Sequence, residues 1–521
     1  MEPLKTEPGM SRKLEQELKT SPGPDLRTPG AGRRLAPFFT LLALLAIPLI
    51  VVSLSVSFNK AQGPGWLAAN SDPDYIYLFN AMNLLINKPP HHVDHPGTPV
   101  QVWGAMVMSL THKIAGEADL VRDVAKRPEF YLNAVNYSFL FCYGAVLFII
   151  GIAVWRLTKN IWLSLLLQAT PLLSIHSITQ STNFRPESFL LILSAIYSWA
   201  ILIYLFGPGD RSENYFSVVF GMLMGLAMAS KITALPLTVI PLLILTRLRS
   251  KLLYMLVSLG SFIVAVIPII LAGKGGFFLR WVFRLLTNVG EYGTGDIGLI
   301  DTANYFNSFK GLLTSNLPLF AGLLAGSALV LWSWRRDRTK QSEPSARKLR
   351  LGLVAVMAAQ LLQLVMVAKY PRDYYLVPSL GLLGLNLALM LGLILKEQRK
   401  NTTLIAPIFA CLVAVGLLIF GIPSIRATTA ALEKSKVAQL KAFAESDKYK
   451  GWTKVCYYQC SSPAYASYFG NYNAADRYTK ILQELYPDFV GYHIWNKSYY
   501  RFGSKTRSTT GKKPQGSIPR H

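Results

Sequence analysis

Acidic residues are scarce in this chain: 28 Asp and Glu stand against 53 Lys and Arg, and charged residues of both signs make up only 16% of 521 positions. With 51% of the residues hydrophobic and gathered into runs of about 20, the length a helix needs to cross a bilayer, this low charge points to an integral membrane protein. The net charge of +25 does not point to a nucleic-acid partner, because the excess sits in short loops between apolar runs and in the two tails. Cysteine is sparse as well. Of the four, Cys142 and Cys411 lie in apolar runs where a thiol serves as a small hydrophobe. No segment repeats at a fixed period, which removes one signature of transporters and flippases. No cleavage-site pattern follows the first apolar run, so that run is expected to stay as a signal anchor. No C-terminal K-D-E-L retention signal is present.

What is present is a series of about eleven apolar runs, near 36–57, 136–155, 161–178, 188–206, 214–230, 232–247, 252–272, 312–334, 350–368, 374–395 and 403–422. Residues 1–35 are rich in Pro, Gly and charge and read as a disordered cytoplasmic tail. With the N-terminus inside, every cytoplasmic loop is basic: Arg156 and Lys159, Arg211, Arg247 with Arg249 and Lys251, Arg335 to Arg350, and Lys396 with Arg399 and Lys400. That is the positive-inside pattern. It leaves outside a loop over about 58–135, the short loop Thr182–Glu187, a loop over about 273–311, and everything after 423. Within the first of these, Tyr75–Ile86 and Val100–Leu110 are too short to span and read as interfacial helices; reading either as a span would invert the later topology. The transmembrane domain thus covers 36–422. A small extracytoplasmic domain follows over 423–503, opening with a helix at Ala430–Ala444, and a basic disordered tail covers 504–521.

The densest polar cluster lies in the first external loop. Ser71-Asp72-Pro73-Asp74-Tyr75 opens an interfacial helix, and His91-His92-Val93-Asp94-His95-Pro96-Gly97 follows it. Asp72 before Pro73 fits a helix N-cap. Either Asp72 or Asp74 also fits a general base that takes a proton from an acceptor hydroxyl. The histidine spacing matches no zinc signature, and its Pro and Gly suggest a turn held by polar contacts. A divalent cation on Asp72 and Asp74 stays open as a weaker alternative; no other metal or cofactor is expected.

Four cations break the positive-inside pattern at the external boundary: Arg185, Lys231, Lys369 and Arg372. Singly, each would snorkel toward headgroups. Together, on spans far apart in sequence, they suggest one site for an anion such as the phosphate of a lipid carrier. Cys456 and Cys460 lie in the aromatic-rich C-terminal region and are disulfide candidates if that region is outside.

These features resemble the GT-C membrane glycosyltransferases, in particular the group of dolichyl-phosphate-mannose protein mannosyltransferases, aminoarabinose transferases of lipid A and rhizobial galacturonosyltransferases of lipopolysaccharide. The resemblance spans roughly residues 36–400. It rests on the acidic pair and aromatic of Asp72-Pro73-Asp74-Tyr75, on Asp94-His95-Pro96, on Gly221–Leu235 with Lys231, and on Lys369–Pro378. It implies an all-α polytopic fold and inverting transfer of a monosaccharide from a polyprenyl-phosphate donor to a glycolipid, polysaccharide or protein acceptor. Tyr75, Asp94 and His95 join the candidate site on the same ground. The family's acids are adjacent, whereas Pro73 separates them here; Asp74 is favoured as the base. A bacterial inner membrane is the expected location, with the C-terminus periplasmic. The rival readings are a transporter or flippase, and a lipid-linked oligosaccharide polymerase or ligase using a diphosphate-linked donor.

Overall fold

A computed structural model of the chain describes residues 31–93, 96–117, 119–207, 212–273, 304–338, 344–397, 402–449, 452–493 and 498–502, with scattered positions between 275 and 287. The segments 1–30 and 504–521, most of the loop 273–311, and the site candidates Asp94 and His95 lie outside the described residues. Among the described residues about 82% are helical and almost none are in strands. Among the described residues, eight helices are long and apolar enough to cross a membrane: Phe38–Gln62, Pro128–Thr158, Pro186–Phe206, Leu248–Ala265, Leu317–Arg338, Ser345–Val367, Asp373–Glu397 and Leu404–Tyr449. This is the architecture of an all-α polytopic membrane protein.

The chain divides into two units inside its first helix, Met1–Ala43 and Leu44–His521. In the first unit the described side chains include Phe38 and Phe39, both exposed. In the second unit the same helix buries Leu44, Val51 and Phe58 at seven-residue spacing and leaves Leu49 and Ile50 exposed. One face packs and the other meets an apolar solvent. The Leu404–Tyr449 helix goes further, with only 6% of its most apolar window buried. So much uncovered leucine, isoleucine and phenylalanine fits contact with lipid.

Three expected spans differ from expectation, each for a local reason. The 161–178 stretch is broken into the helices Ile161–Gln168 and Ile175–Gln180, with a tight turn at Thr170–Leu173 between them. Pro171 there has no N–H to give and crowds the preceding turn. The 232–247 stretch is likewise a tight helix, Ile232–Thr238 with Pro236 inside it, followed by Val239–Ile244. Glu213–Ser230 is a continuous helix, but it begins with the polar Glu213 and Asn214, and it falls outside the eight. At the other end, helix continues across residue 423, from Thr402 to Glu445, with one wider turn at Leu417–Gly421.

Several polar side chains inside the bundle hydrogen-bond across elements, which an apolar surround favours. Gln168 donates to the carbonyls of Leu44 and Leu147 (2.9 and 3.0 Å). Gln363 donates to those of Thr233 and Tyr375 (3.0 and 2.8 Å). Gly384 lets two segments touch: a side chain there would meet the Thr170 hydroxyl at 2.1 Å and the Leu166 and Leu167 carbonyls at 2.7 Å.

The first polar loop forms the helices Ser71–Leu85 and Thr98–Ala115, at the places the sequence indicates, and a further short helix, Leu120–Lys126. The C-terminal residues supply the helices Pro463–Asn473 and Thr479–Leu485 and three strands: β1 (Val455–Cys456), β2 (Val490–His493) and β3 (Ser498–Tyr500). β2 is central, parallel to β1 and antiparallel to β3.

Candidate functional site

The site grows from three helix ends. Arg185 immediately precedes Pro186, which holds it extended (φ −137°, ψ 159°), and so it caps the Pro186–Phe206 helix rather than joining it. Lys231 is extended (φ −160°, ψ 132°) at the end of Glu213–Ser230. Arg372 is extended at the start of the tight turn Asp373–Leu376. Three sequence-distant cations therefore occupy helix termini.

Opposite them stands the first turn of Ser71–Leu85. Asp72 has the extended backbone of a cap (φ −108°, ψ 115°) before a cis peptide bond to Pro73, and the helix continues from there. Among the described residues no backbone N–H donates to the Asp72 carboxylate. Asp74 is buried and accepts from Arg185 Nε at 2.5 Å. Glu187, also buried, accepts from Lys231 Nζ. That ammonium also lies 4.2 Å from the ring centre of Tyr375 and 5.5 Å from that of Tyr374. The result is an enclosed set of alternating charges, Asp74, Arg185, Glu187 and Lys231, walled by the tyrosines of the 370–375 segment.

Burial sets the electrostatics. It raises the Asp72 carboxyl above the usual carboxylate range, against the lowering pull of Arg185 and His92. It raises Asp74 too, opposed by the charge and hydrogen bond of Arg185. Burial lowers the Lys231 amine, and the Glu187 charge works the other way. Lys369 is half-buried and its amine is lowered by desolvation. Arg372 is exposed, its guanidinium 5.4 Å from the Tyr370 ring centre.

The four expected cations therefore fall into two classes. Arg185 and Lys231 are matched with acids, while Lys369 and Arg372 stand beside Tyr370 on the adjoining segment. Tyr75 does not face this cluster: its ring is fully buried and its hydroxyl donates to Glu129 Oε1 at 2.7 Å, alongside the Gly65 and Trp66 amides on the same carboxylate. The described part of the histidine segment bends at His91. Its His91 and His92 amides donate to Asn80 Oδ1 (2.7 and 3.0 Å), and Gly97, at φ 74°, donates to the Ala229 carbonyl near Lys231 at 3.0 Å. Only glycine fits there, because a Cβ would lie 2.4 Å from the Tyr77 hydroxyl. Among the described residues no group of three or more His, Cys, Asp or Glu is placed to hold a metal ion.

Cys456 and Cys460 are free thiols in this structure, both half-buried. The Cys460 hydrogen bond and, after the opposing effect of burial, Ser462 and the Lys454 charge lower the Cys456 thiol; hydrogen bonding to Cys456 raises Cys460.

Sequence reasoning did not assign Glu187, Tyr374, Tyr375 or His92 to the site. Glu187 was signalled by its place two residues after Arg185, and the tyrosine pair by its place directly after Arg372-Asp373. No family model matches the chain, and no curated protein and no solved structure matches it either.

Proposed function

We propose that the protein is an inverting membrane glycosyltransferase of GT-C type that moves a monosaccharide from a polyprenyl phosphate to an acceptor hydroxyl at the external face. The observation that carries this reading is the meeting of Asp72 with Arg185, Lys231 and the Lys369–Tyr375 segment at one level of the bundle.

Asp72 is the better base of the two acids, a change from the preference for Asp74. The Asp74 carboxylate is committed to Arg185, whereas Asp72 is only partly buried and carries a basicity raised by burial. In the reaction the acceptor hydroxyl gives its proton to Asp72 as its oxygen bonds to the anomeric carbon. The bond from that carbon to the phosphate oxygen breaks on the opposite face. Lys369 and Arg372 hold the leaving phosphate, and Arg185 and Lys231 add positive field from behind while their acid partners fix their positions. No metal is assigned a role.

The finer architecture belongs to the same proposal. The interrupted stretches 161–180 and 232–244 and the Glu213–Ser230 helix complete eleven crossings, with the N-terminus cytoplasmic, the C-terminal region periplasmic and a bacterial inner membrane as the location. The acceptor is a glycolipid, a polysaccharide or a protein.

The test is release of free polyprenyl phosphate from a panel of polyprenyl-phosphate monosaccharides, using membranes that carry the native chain or the Asp72→Ala/Asp74→Ala variant. Release that requires the native acids supports the reading. Full release by the double variant, or none from any donor in acceptor-rich membranes, overturns it in favour of a diphosphate-linked donor or a transporter.

A further inference from the structure

The chain on both sides of Asp72 hangs on one carboxylate. Glu129 stands half-buried in the first turn of the Pro128–Thr158 helix. Its Oε2 accepts from the Gly65 amide at 2.9 Å; its Oε1 accepts from the Trp66 amide at 3.0 Å and from the Tyr75 hydroxyl at 2.7 Å. The two amides precede Asp72 in the chain and the hydroxyl follows it. The loop leading to the acid is also closed on itself. Asn70 Nδ2 donates to the Gln62 and Pro64 carbonyls, both at 3.1 Å, Gln62 Nε2 donates to Asn70 Oδ1 at 3.0 Å, and the Ser71 hydroxyl donates to the Ala68 carbonyl at 3.2 Å. Gly65 lies so near the Pro128–Thr158 helix that a Cβ there would be 2.4 Å from Leu132. The outer side of the loop meets the Leu404–Tyr449 helix, where Lys436 Nζ donates to the Lys60 carbonyl at 3.0 Å and the Trp66 ring centre is 5.0 Å from that of Phe443.

We infer that Glu129 is a positioning residue for Asp72: it fixes the chain before and after the acid, and so sets where the Asp72 carboxylate stands against an acceptor hydroxyl. This rests on the reading of Asp72 as the base. An ionised carboxylate suits the role because it offers acceptors on two oxygens and no donor, and the three donors it meets all come from the segment 65–75. Glutamine keeps the size but turns one oxygen into an NH2, which sets a donor against the Gly65 or the Trp66 N–H. The Glu129 carboxylate is engaged by its own chain, so it acts through Asp72 and not on the substrate. A displacement of about 1 Å at a reacting group is enough to lower a rate about 100-fold, which makes the rate sensitive to this bracket.

The first measurement needs no enzymatic activity. Hydrogen exchange of the purified full chain, read on peptides covering residues 63–75, reports how often the Gly65 and Trp66 amides come free. Glu129→Gln should speed that exchange at least about tenfold, the effect of losing a hydrogen bond to a charged group, and leave exchange in the Lys369–Tyr375 segment as in the native chain. Tyr75→Phe removes one of the three bonds, keeps the ring in the core and should speed it less; where Glu129→Gln fails to fold, this variant carries the same comparison. Exchange over 63–75 that does not change, or that quickens equally in both segments, overturns the bracket whether or not the protein transfers sugar.

The second measurement is the kinetics of polyprenyl-phosphate release. In the native background Glu129→Gln should lower kcat about 10- to 100-fold and leave the donor KM within about twofold, because Lys369 and Arg372 are untouched. In an Asp72→Asn background it should lower the residual release by no more than about twofold, since a base already removed cannot be misplaced. Equal losses in the two backgrounds, or a raised KM with kcat kept, assign Glu129 a structural role only and refute the positioning role. Absence of release in the native chain counts against the glycosyltransferase reading, and hydrogen exchange then decides the bracket by itself.

Discussion

Glu187→Gln leaves Lys231 with no acid partner in a site where its side chain is 5% exposed and that of Glu187 is 3% exposed. The amine then either stays charged without compensation or gives up its proton. At pH 7 the second route costs about 4.6 kcal/mol, since an amine of ordinary pKa about 10.4 must be neutralised about 3.4 pH units below it at about 1.36 kcal/mol each. The first route keeps the Tyr375 ring, worth roughly 1–2 kcal/mol to a desolvated cation, but bears the full cost of an unpaired buried charge. A loss of about 3–5 kcal/mol follows either way. The pH dependence identifies the route. If the folded amine is neutral, its folded pKa lies below the unfolded value and the unfolded chain binds the extra proton, so stability relative to the native protein rises with pH. The deficit should shrink by about 2.7 kcal/mol between pH 7 and pH 9. Lys231→Met/Glu187→Leu removes both charges and should be more stable than either single variant. Unfolding of the purified full chain in detergent from pH 6 to pH 9, followed by helix signal, measures the native protein, Glu187→Gln, Lys231→Met, Glu187→Leu and the double variant. A deficit for Glu187→Gln that is small and flat with pH, or a double variant that loses as much as the two single variants together, refutes the assignment of a buried, mutually compensating pair.

Asp72→Asn should lower transfer at least about 100-fold with little change in thermal stability, while Asp74→Asn should cost about 1.5–3 kcal/mol of stability by taking a charged acceptor from Arg185; parallel release and melting assays separate the two. Arg372→Ala should weaken donor use about 10- to 100-fold, read as kcat/KM for release, with normal folding because the side chain is exposed. Gly470→Val forces a Cβ to within 2.5 Å of Phe79 and 2.7 Å of the Tyr75 carbonyl and should cost about 1–3 kcal/mol, visible as faster proteolysis after residue 446; Gly260→Ala, where a Cβ meets nothing within 4 Å, should instead stabilise its helix by about 0.5–1 kcal/mol.

The membrane class and most of the helices were legible because hydrophobic length is a property of contiguous residues. The breaks at Pro171 and Pro236 were visible as letters, yet proline in an apolar run does not say whether a helix bends or divides; that depends on what its freed carbonyls find. The cations were legible as exceptions to a charge pattern. Their partners were not, because choosing Glu187 for Lys231 and Asp74 for Arg185 requires three helix ends at one level, and hydropathy carries no information about which ends meet. The same limit explains Tyr75. It lies beside the acids in sequence, but its direction on the helix takes the ring into the core, to Glu129.

The C-terminal region gives the clearest case of an arrangement that only tertiary contact reveals. Asn80 and Asn83 lie three residues apart on one face of the first-loop helix, which is the spacing of neighbours on a helix surface. Asn80 donates to the Asn473 carbonyl at 3.1 Å while its oxygen holds the His91 and His92 amides. Asn83 accepts from the Tyr478 hydroxyl at 2.8 Å and donates to the Ala474 carbonyl at 3.3 Å. Gly470 brings the Pro463–Asn473 helix against Phe79, and Arg122 with Glu484 adds an exposed ion pair at 2.9 Å, worth little by comparison. Because buried amides left without partners cost about 1–3 kcal/mol each, these contacts fix the register of the C-terminal helix on the first-loop helix. That register decides where β1 and the following turn come to rest, so substitutions at Asn80, Asn83 or Gly470 should lower stability and loosen the C-terminal region from the first-loop helix.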